Sequence, residues 1–156
     1  MRKANREVKD RAELIDILDK CDVCRVCFFD EEYPYIVPMN FGVLFEENLK
    51  LYFHCAVEGK KLDLIKRKNK VCFEMDCSHQ LKTGENACDY SMNFESIIGF
   101  GEIRGLTDTE ERIKGLNQIM KHYGRNDNFN YHEEVLSRTV ILELKAESFT
   151  GKRLNK

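Results

Sequence analysis

The stretch that decides the fold is Tyr35 to Lys61, YIVPMNFGVLFEENLKLYFHCAVEGKK. Two apolar runs, Tyr35 to about Phe45 and Leu49 to His54, lie either side of Glu46-Glu47-Asn48, which predicts two strands joined by a tight connection. In the second run Leu49, Leu51 and Phe53 fall on one face, and Lys50, Tyr52 and His54 on the other. Pro38 has no N–H for a ladder, so it predicts an edge or a bulge. That frees main-chain groups of Val37, Met39 and Asn40 for something other than a strand, such as a flat heteroaromatic ring; a blunted edge is the plainer reading. The run then opens a helix at Gly59-Lys60-Lys61. First-turn N–H groups lack internal partners and favour an anion, so a phosphate is one candidate occupant. A solvated basic helix is the other, because Lys66, Arg67, Lys68 and Lys70 keep the segment basic. Histidine as a residue type exchanges protons near neutral pH, which makes His54 a candidate proton donor to any ligand beside it.

Outward from this unit, Asp10 and Glu13 form a capping-box pattern, and Leu14, Ile17 and Leu18 follow at helical spacing to about Lys20. Val23 to Phe29 reads as a strand, ended by a turn at Asp30-Glu31-Glu32. In the Gly59 helix Leu62 and Ile65 are expected inward. Val71, Phe73 and Met75 alternate with Cys72, Glu74 and Asp76, a half-buried strand to Cys77. Ser78 to Ser91 reads as a loop, and Phe94 to Leu106 as a strand whose Gly99, Gly101 and Gly105 point to bulges or close backbone approach. A capping box from Thr107 to Glu110 predicts a helix with Ile113, Leu116, Met120 and Tyr123 on one face and a stop at Gly124. Arg125 to Asn130 reads as a polar link, Glu133 to Leu136 as a short helix, and Val140, Leu142 and Leu144 mark a last strand. The inventory is mainly β with flanking helices: about six strands with hairpin connections, which favours an antiparallel barrel over a doubly wound sheet.

A chain of 156 residues suits one domain with a substantial core. A net charge of −2 gives no electrostatic footprint for nucleic acid, and no apolar run reaches membrane-spanning length. Seven cysteines, with no apolar leader in MRKANREVKDRAEL, lead us to expect reduced thiols in a cytoplasm. Cys21, Cys24 and Cys27 have part of the spacing of an iron–sulfur run, but a strand from Val23 sends Cys24 and Cys27 to opposite faces. Cys72, Cys77, His79 and Cys88 lack the paired spacing of a zinc site, so no metal is expected.

In order along the chain, Asp22-Val23-Cys24-Arg25, YIVPMNFG (35–42), LYFHCAVEGKK (51–61), VCFEMD (71–76), ACDYSMNFESIIGFGE (87–102) and TGK (150–152) resemble the flavin-binding split β-barrel superfamily of pyridoxamine 5′-phosphate oxidase. Within it, the nitroimidazole-resistance branch is the most similar. This resemblance implies a six-stranded split barrel and a homodimer with FMN, or alternatively FAD, in clefts between subunits. Val37, Pro38, Met39, Asn40 and Phe41 would lie along the ring. Phe53, His54, Cys55 and Ala56 would border ring and ribityl chain, and Gly59, Lys60 and Lys61 would hold the phosphate. The partner's Tyr90, Ser96 and Ile98 would close the cleft. The implied activity is reduction of a small acceptor such as a nitroaromatic or quinone with His54 as proton donor; the alternative is a flavin carrier or sensor without turnover. The oxidase has Ser-Arg-Lys where this chain has Gly59-Lys60-Lys61, and no counterpart of its C-terminal substrate-binding segment is evident here, so vitamin B6 oxidation is not expected.

Overall fold

The computed structural model describes residues 3–124 and 129–155. A short strand β1 (Glu7–Val8) leads into α1 (Arg11–Lys20), whose N-cap Asp10 accepts the Glu13 N–H as its capping box predicts. Strands β2 (Cys24–Phe28), β3 (Tyr35–Met39), β4 (Gly42–Phe45) and β5 (Leu49–Ala56) precede α2 (Lys60–Arg67). Then come β6 (Lys70–Lys82), β7 (Ser91–Leu106), α3 (Thr109–Tyr123), α4 (Glu133–Ser137) and β8 (Thr139–Leu154).

All strand pairs are antiparallel, in the order β3-β2-β6-β7-β8-β5-β4, with β1 added to β8. Consecutive strands β3 and β4 therefore stand at opposite ends of one sheet, and the barrel is split between them. This corrects the single strand expected from Tyr35 to Phe45. Its physical cause lies at Asn40-Phe41: the Phe41 side chain is fully buried, and its N–H donates to the Tyr123 hydroxyl (3.1 Å) instead of entering a ladder. That division, together with β1, turns the six expected strands into eight among the described residues.

The barrel interior is filled by alternate residues, among them Val26, Phe28, Leu51, Phe53, Phe73, Met75, Ile97 and Leu144. A second cluster of Tyr52, Leu106, Ile119 and Ile141 lies outside the barrel wall beneath α3. Helix α3 begins one residue later than its sequence pattern predicts, at N-cap Asp108, which accepts the Glu111 N–H. Its buried face is Gly115 and Ile119, whereas Ile113, Met120 and Tyr123 of the expected face stay exposed. Two glycines rotate it. A Cβ at Gly42 would come within 2.3 Å of the Gln118 carbonyl carbon, and one at Gly115 within 2.9 Å of the Ile141 side chain. Gly42 lets the wall approach the backbone of Gln118 and Ile119, Gly115 lets the helix settle on Ile141 and Tyr52, and the larger residues turn away. In α2 the fully buried residue is Leu64, with Leu62 and Ile65 only partly buried beside it.

Strand β6 runs to Lys82 and β7 begins at Ser91, so both take residues expected in a loop. The ladder Gln80↔Asn93 to Lys82↔Ser91 orders this polar ribbon by backbone pairing, without an apolar face for a sequence pattern to reveal. The β7–β8 register shifts between Phe100 and Gly101, one of the expected bulges. A further shift in β6 places Ser78 at φ 57°, and its hydroxyl donates to the buried Glu95 carboxylate (2.7 Å). Lys20 also donates to Glu95 at 3.1 Å, and Arg153 donates to its other oxygen. Burial opposes ionisation of Glu95, but hydrogen bonds from Ser78, Arg153 and Lys20 outweigh it and bring the pKa down to about 2. A folded-state pKa below the unfolded one adds stability above the unfolded value and loses it as pH falls through the folded one. The contribution, on the order of 3 kcal/mol, should therefore fade from about pH 4.5 down to about pH 2. Urea unfolding at neutral pH and at about pH 3 should show a larger acid loss for the native protein than for Glu95→Gln; parallel losses would refute the assignment.

Candidate functional site at the split of the barrel

A cavity of about 520 Å³ opens at the split. One wall is Val37, Pro38, Met39 and Asn40, at the end of β3. The other is His54, Cys55 and Ala56 at the end of β5, Lys61 in the first turn of α2, and Arg138 and Thr139 where β8 begins. Among the described strands β3 pairs only with β2, where Pro38 stands opposite Arg25, so its second edge faces the split without a ladder.

The turn into α2 depends on Gly59, whose φ of 137° and ψ of 157° are accessible to glycine alone. A side chain there would meet nothing within 4 Å, so substitution would cost backbone strain, about 1–3 kcal/mol, without a clash. Neither Gly59 nor Lys60 lines the cavity. Lys60 pairs with Asp30 at 2.6 Å and stands 4.9 Å from the centre of the Tyr35 ring. Its hydrogen bond holds the Asp30 carboxyl below the usual carboxylate range. Lys61 carries no ion pair among the described residues and faces the cavity. Adjacent lysines read alike in sequence; helix geometry sends one to the β2–β3 turn and the other to the opening.

Of the other expected site residues, Phe41 and Phe53 are fully buried in the barrel core and do not line the cavity. Tyr90, Ser96 and Ile98 lie outside it; Ile98 pairs with Glu74, Glu74 with Arg25 and Arg25 with Pro38, three strands across the sheet. Arg138 and Thr139 were not legible as site residues. They follow a five-residue helix in a polar stretch, and only the β5–β8 ladder, with Ala56 opposite Thr139, carries them to the opening. Cys72 and Cys77 of the rejected zinc set face opposite sides of β6, one partly exposed and one buried. Among the described residues no group of three or more His, Cys, Asp or Glu is gathered for a metal. No helix among them is long and apolar enough to cross a membrane.

A family model described as pyridoxamine 5′-phosphate oxidase matches residues 10–153. The chain belongs to the pyridoxamine 5′-phosphate oxidase family. A Bacteroides thetaiotaomicron protein named for 5-nitroimidazole antibiotic resistance is 32% identical, with TM-score 0.81, over 94% of this chain and 86% of that one. The flavocytochrome Anf3 from Azotobacter vinelandii has TM-score 0.82 at 16% identity, covering 100% of this chain and 72% of that one. The FAD and heme binding protein from Mycobacterium smegmatis has TM-score 0.82 at 17% identity, covering 97% and 74%. The last two likenesses show the fold alone. No curated protein matches the sequence.

In this member of the family the cavity also contains a thiol. Burial pushes the Cys55 thiol up from its ordinary value, and the nearby Lys61 charge pulls it partly back. The net shift keeps Cys55 a thiol at neutral pH, unsuited to act as a nucleophile. Iodoacetamide at about pH 8 should alkylate Cys55 more slowly than the exposed Cys88, and Lys61→Ala should slow it further. Peptide mass spectrometry over time reads both; faster Cys55 labelling in the variant would contradict this assignment.

Proposed function

We propose that the protein is a flavin-binding oxidoreductase that holds FMN at the split of the barrel and reduces a nitroaromatic or quinone-like acceptor. The observation that carries this reading is one cavity faced together by the unladdered edge of β3, the cation of Lys61, unpaired among the described residues, and the imidazole of His54. Family membership and the resistance-named relative support it, as do the flavin-named proteins of like fold.

The residues fit such a group. A volume of about 520 Å³ lies in the ~300–1,000 Å³ range of small-molecule sites. The main chain at 37–40 offers donors and acceptors to a planar ring, with Pro38 setting the strand edge. Lys61 supplies charge for a phosphate; Arg138 also lines the cavity but is paired with Glu134. When bound, FMN supplies the electron chemistry. The chain's own part is to orient the ring along β3, neutralise the phosphate and hold a proton at the His54 imidazole. FAD is the competing occupant, and mass spectrometry of the co-purifying molecule separates the two.

A second copy of the chain would complete the site. Ile36, Cys27, Cys72 and Phe100 form one row across the outer face of the sheet, and Pro38, Arg25, Glu74 and Ile98 the next. Ile36 is 59% exposed and Phe100 57%, which makes the first row an apolar strip; in the second, an Arg25–Glu74 ion pair lies between Pro38 of the cavity wall and Ile98, which is 46% exposed. We propose a homodimer across this strip, with the partner's Tyr90, Ser96 and Ile98 covering the flavin. Seven free thiols fit a reducing, cytoplasmic compartment.

Purified protein should be yellow with bound flavin; a colourless protein that takes up neither FMN nor FAD would exclude the reading. Lys61→Ala should weaken FMN binding about ten-fold in low salt, and Lys60→Ala much less, because Asp30 already holds Lys60. Equal effects of the two in fluorescence titrations would overturn the assignment of the phosphate to Lys61. Phe100→Glu should convert dimer to monomer in light scattering and weaken FMN binding; a dimeric variant would rule out this interface.

A further inference from the structure

A second cavity of about 280 Å³ lies between α3, α4 and the end of β5. It shares His54 and Thr139 with the first cavity, and no other residue. We propose that this second cavity is the acceptor site, taking a compact, uncharged aromatic molecule whose polar group meets His54. The proposal rests on the flavin reading of the first cavity and adds the place and class of the acceptor.

Four observations carry it. The lining holds no Asp, Glu, Lys or Arg; Leu116, Ile119, Met120, Val135 and Leu136 supply its apolar surface beside uncharged polar groups and the two histidines. An apolar cavity of ~150 Å³ takes benzene, so about 280 Å³ suits a substituted ring or two fused rings. Val135 is 62% exposed and Met120 38%, apolar surface that this fold leaves uncovered beside a concave site. The walls are also tied in place. Tyr131 donates its hydroxyl to Asn117 Oδ1 at 2.7 Å, and Arg112 donates to the carbonyl oxygens of Leu136 and Thr139. Preformed walls of this kind keep a site open at little entropic cost. His54 then stands between the two cavities, with one ring within reach of the contents of both.

The test is calorimetric titration of the flavin-loaded protein with nitrobenzene, beside the variants Leu116→Trp and Val135→Trp. Leu116 is a partly buried residue of α3 and Val135 an exposed one of α4, so the two variants narrow the space from different helices and one remains usable if the other perturbs folding. Folding is followed by circular dichroism. The expected result is nitrobenzene affinity lowered about ten-fold or more in a folded variant, with FMN affinity unchanged. No nitrobenzene binding to the native protein, or equal binding in both folded variants, would overturn the proposal. Variant-sensitive nitrobenzene binding by a protein that binds no flavin would leave this cavity standing as an aromatic site and remove the flavin reading instead.

Discussion

Two residues, Asn40 and Phe41, carry the chain from one end of the sheet to the other, and the architecture depends on that crossing. Backbone groups that leave a ladder in a buried place must find other partners. Here the Phe41 N–H goes to the Tyr123 hydroxyl, which itself donates to the Asp22 carbonyl at 2.6 Å. The His122 ring packs 4.4 Å from the Phe41 ring, and its Nε2 lies 2.7 Å from the Cys21 carbonyl oxygen. The end of α3 thus fastens the crossing from outside while the Phe41 side chain fastens it from within. With the crossing fixed, β3 cannot pair with β4, and its free edge becomes one wall of the cavity, facing the end of β5 and the start of β8.

The wall opposite the gap is stiffened by buried charge. Glu95 is held by Lys20, Ser78 and Arg153, joining α1, β6, β7 and β8 at one end of the barrel. Glu143 accepts from the Tyr52 hydroxyl at 3.1 Å and from Arg104 Nε at 3.0 Å on the face beneath α3. Burial opposes ionisation of Glu143 too, and hydrogen bonds from Arg104 and Tyr52 with the Lys50 charge turn the balance to a lowered pKa. A buried carboxylate left without its partners is strongly destabilising, so such groups restrict how the strands can be aligned.

Much of the fold was legible in local pattern. Alternation of Leu49, Leu51 and Phe53 with Lys50, Tyr52 and His54 gave the facing of β5, and Asp10 with Glu13 gave the start of α1. Pattern misled where glycine set the contact. The large residues of α3 look like its buried face, but Gly42 and Gly115 let the backbones approach and rotate the helix. The polar ribbon at 78–82 was unreadable for another reason: its order comes from pairing with β7, and pairing leaves no mark on hydrophobic period.

The sequence by itself determined an antiparallel, mainly β chain, the strand faces and the glycine-led turn into α2. These follow from local chemistry: a proline without N–H, a backbone at positive φ, apolar residues at a fixed period. Only the tertiary structure decided that Tyr35 to Phe45 divides between two edges, that Lys61 rather than Lys60 faces the opening, and that Arg138 and Thr139 join it. Each depends on what lies across from the residue: Asp30 for Lys60, Ala56 for Thr139, Tyr123 for Phe41. The last two pairs are separated in the chain by more than eighty positions, a distance over which local pattern carries no information.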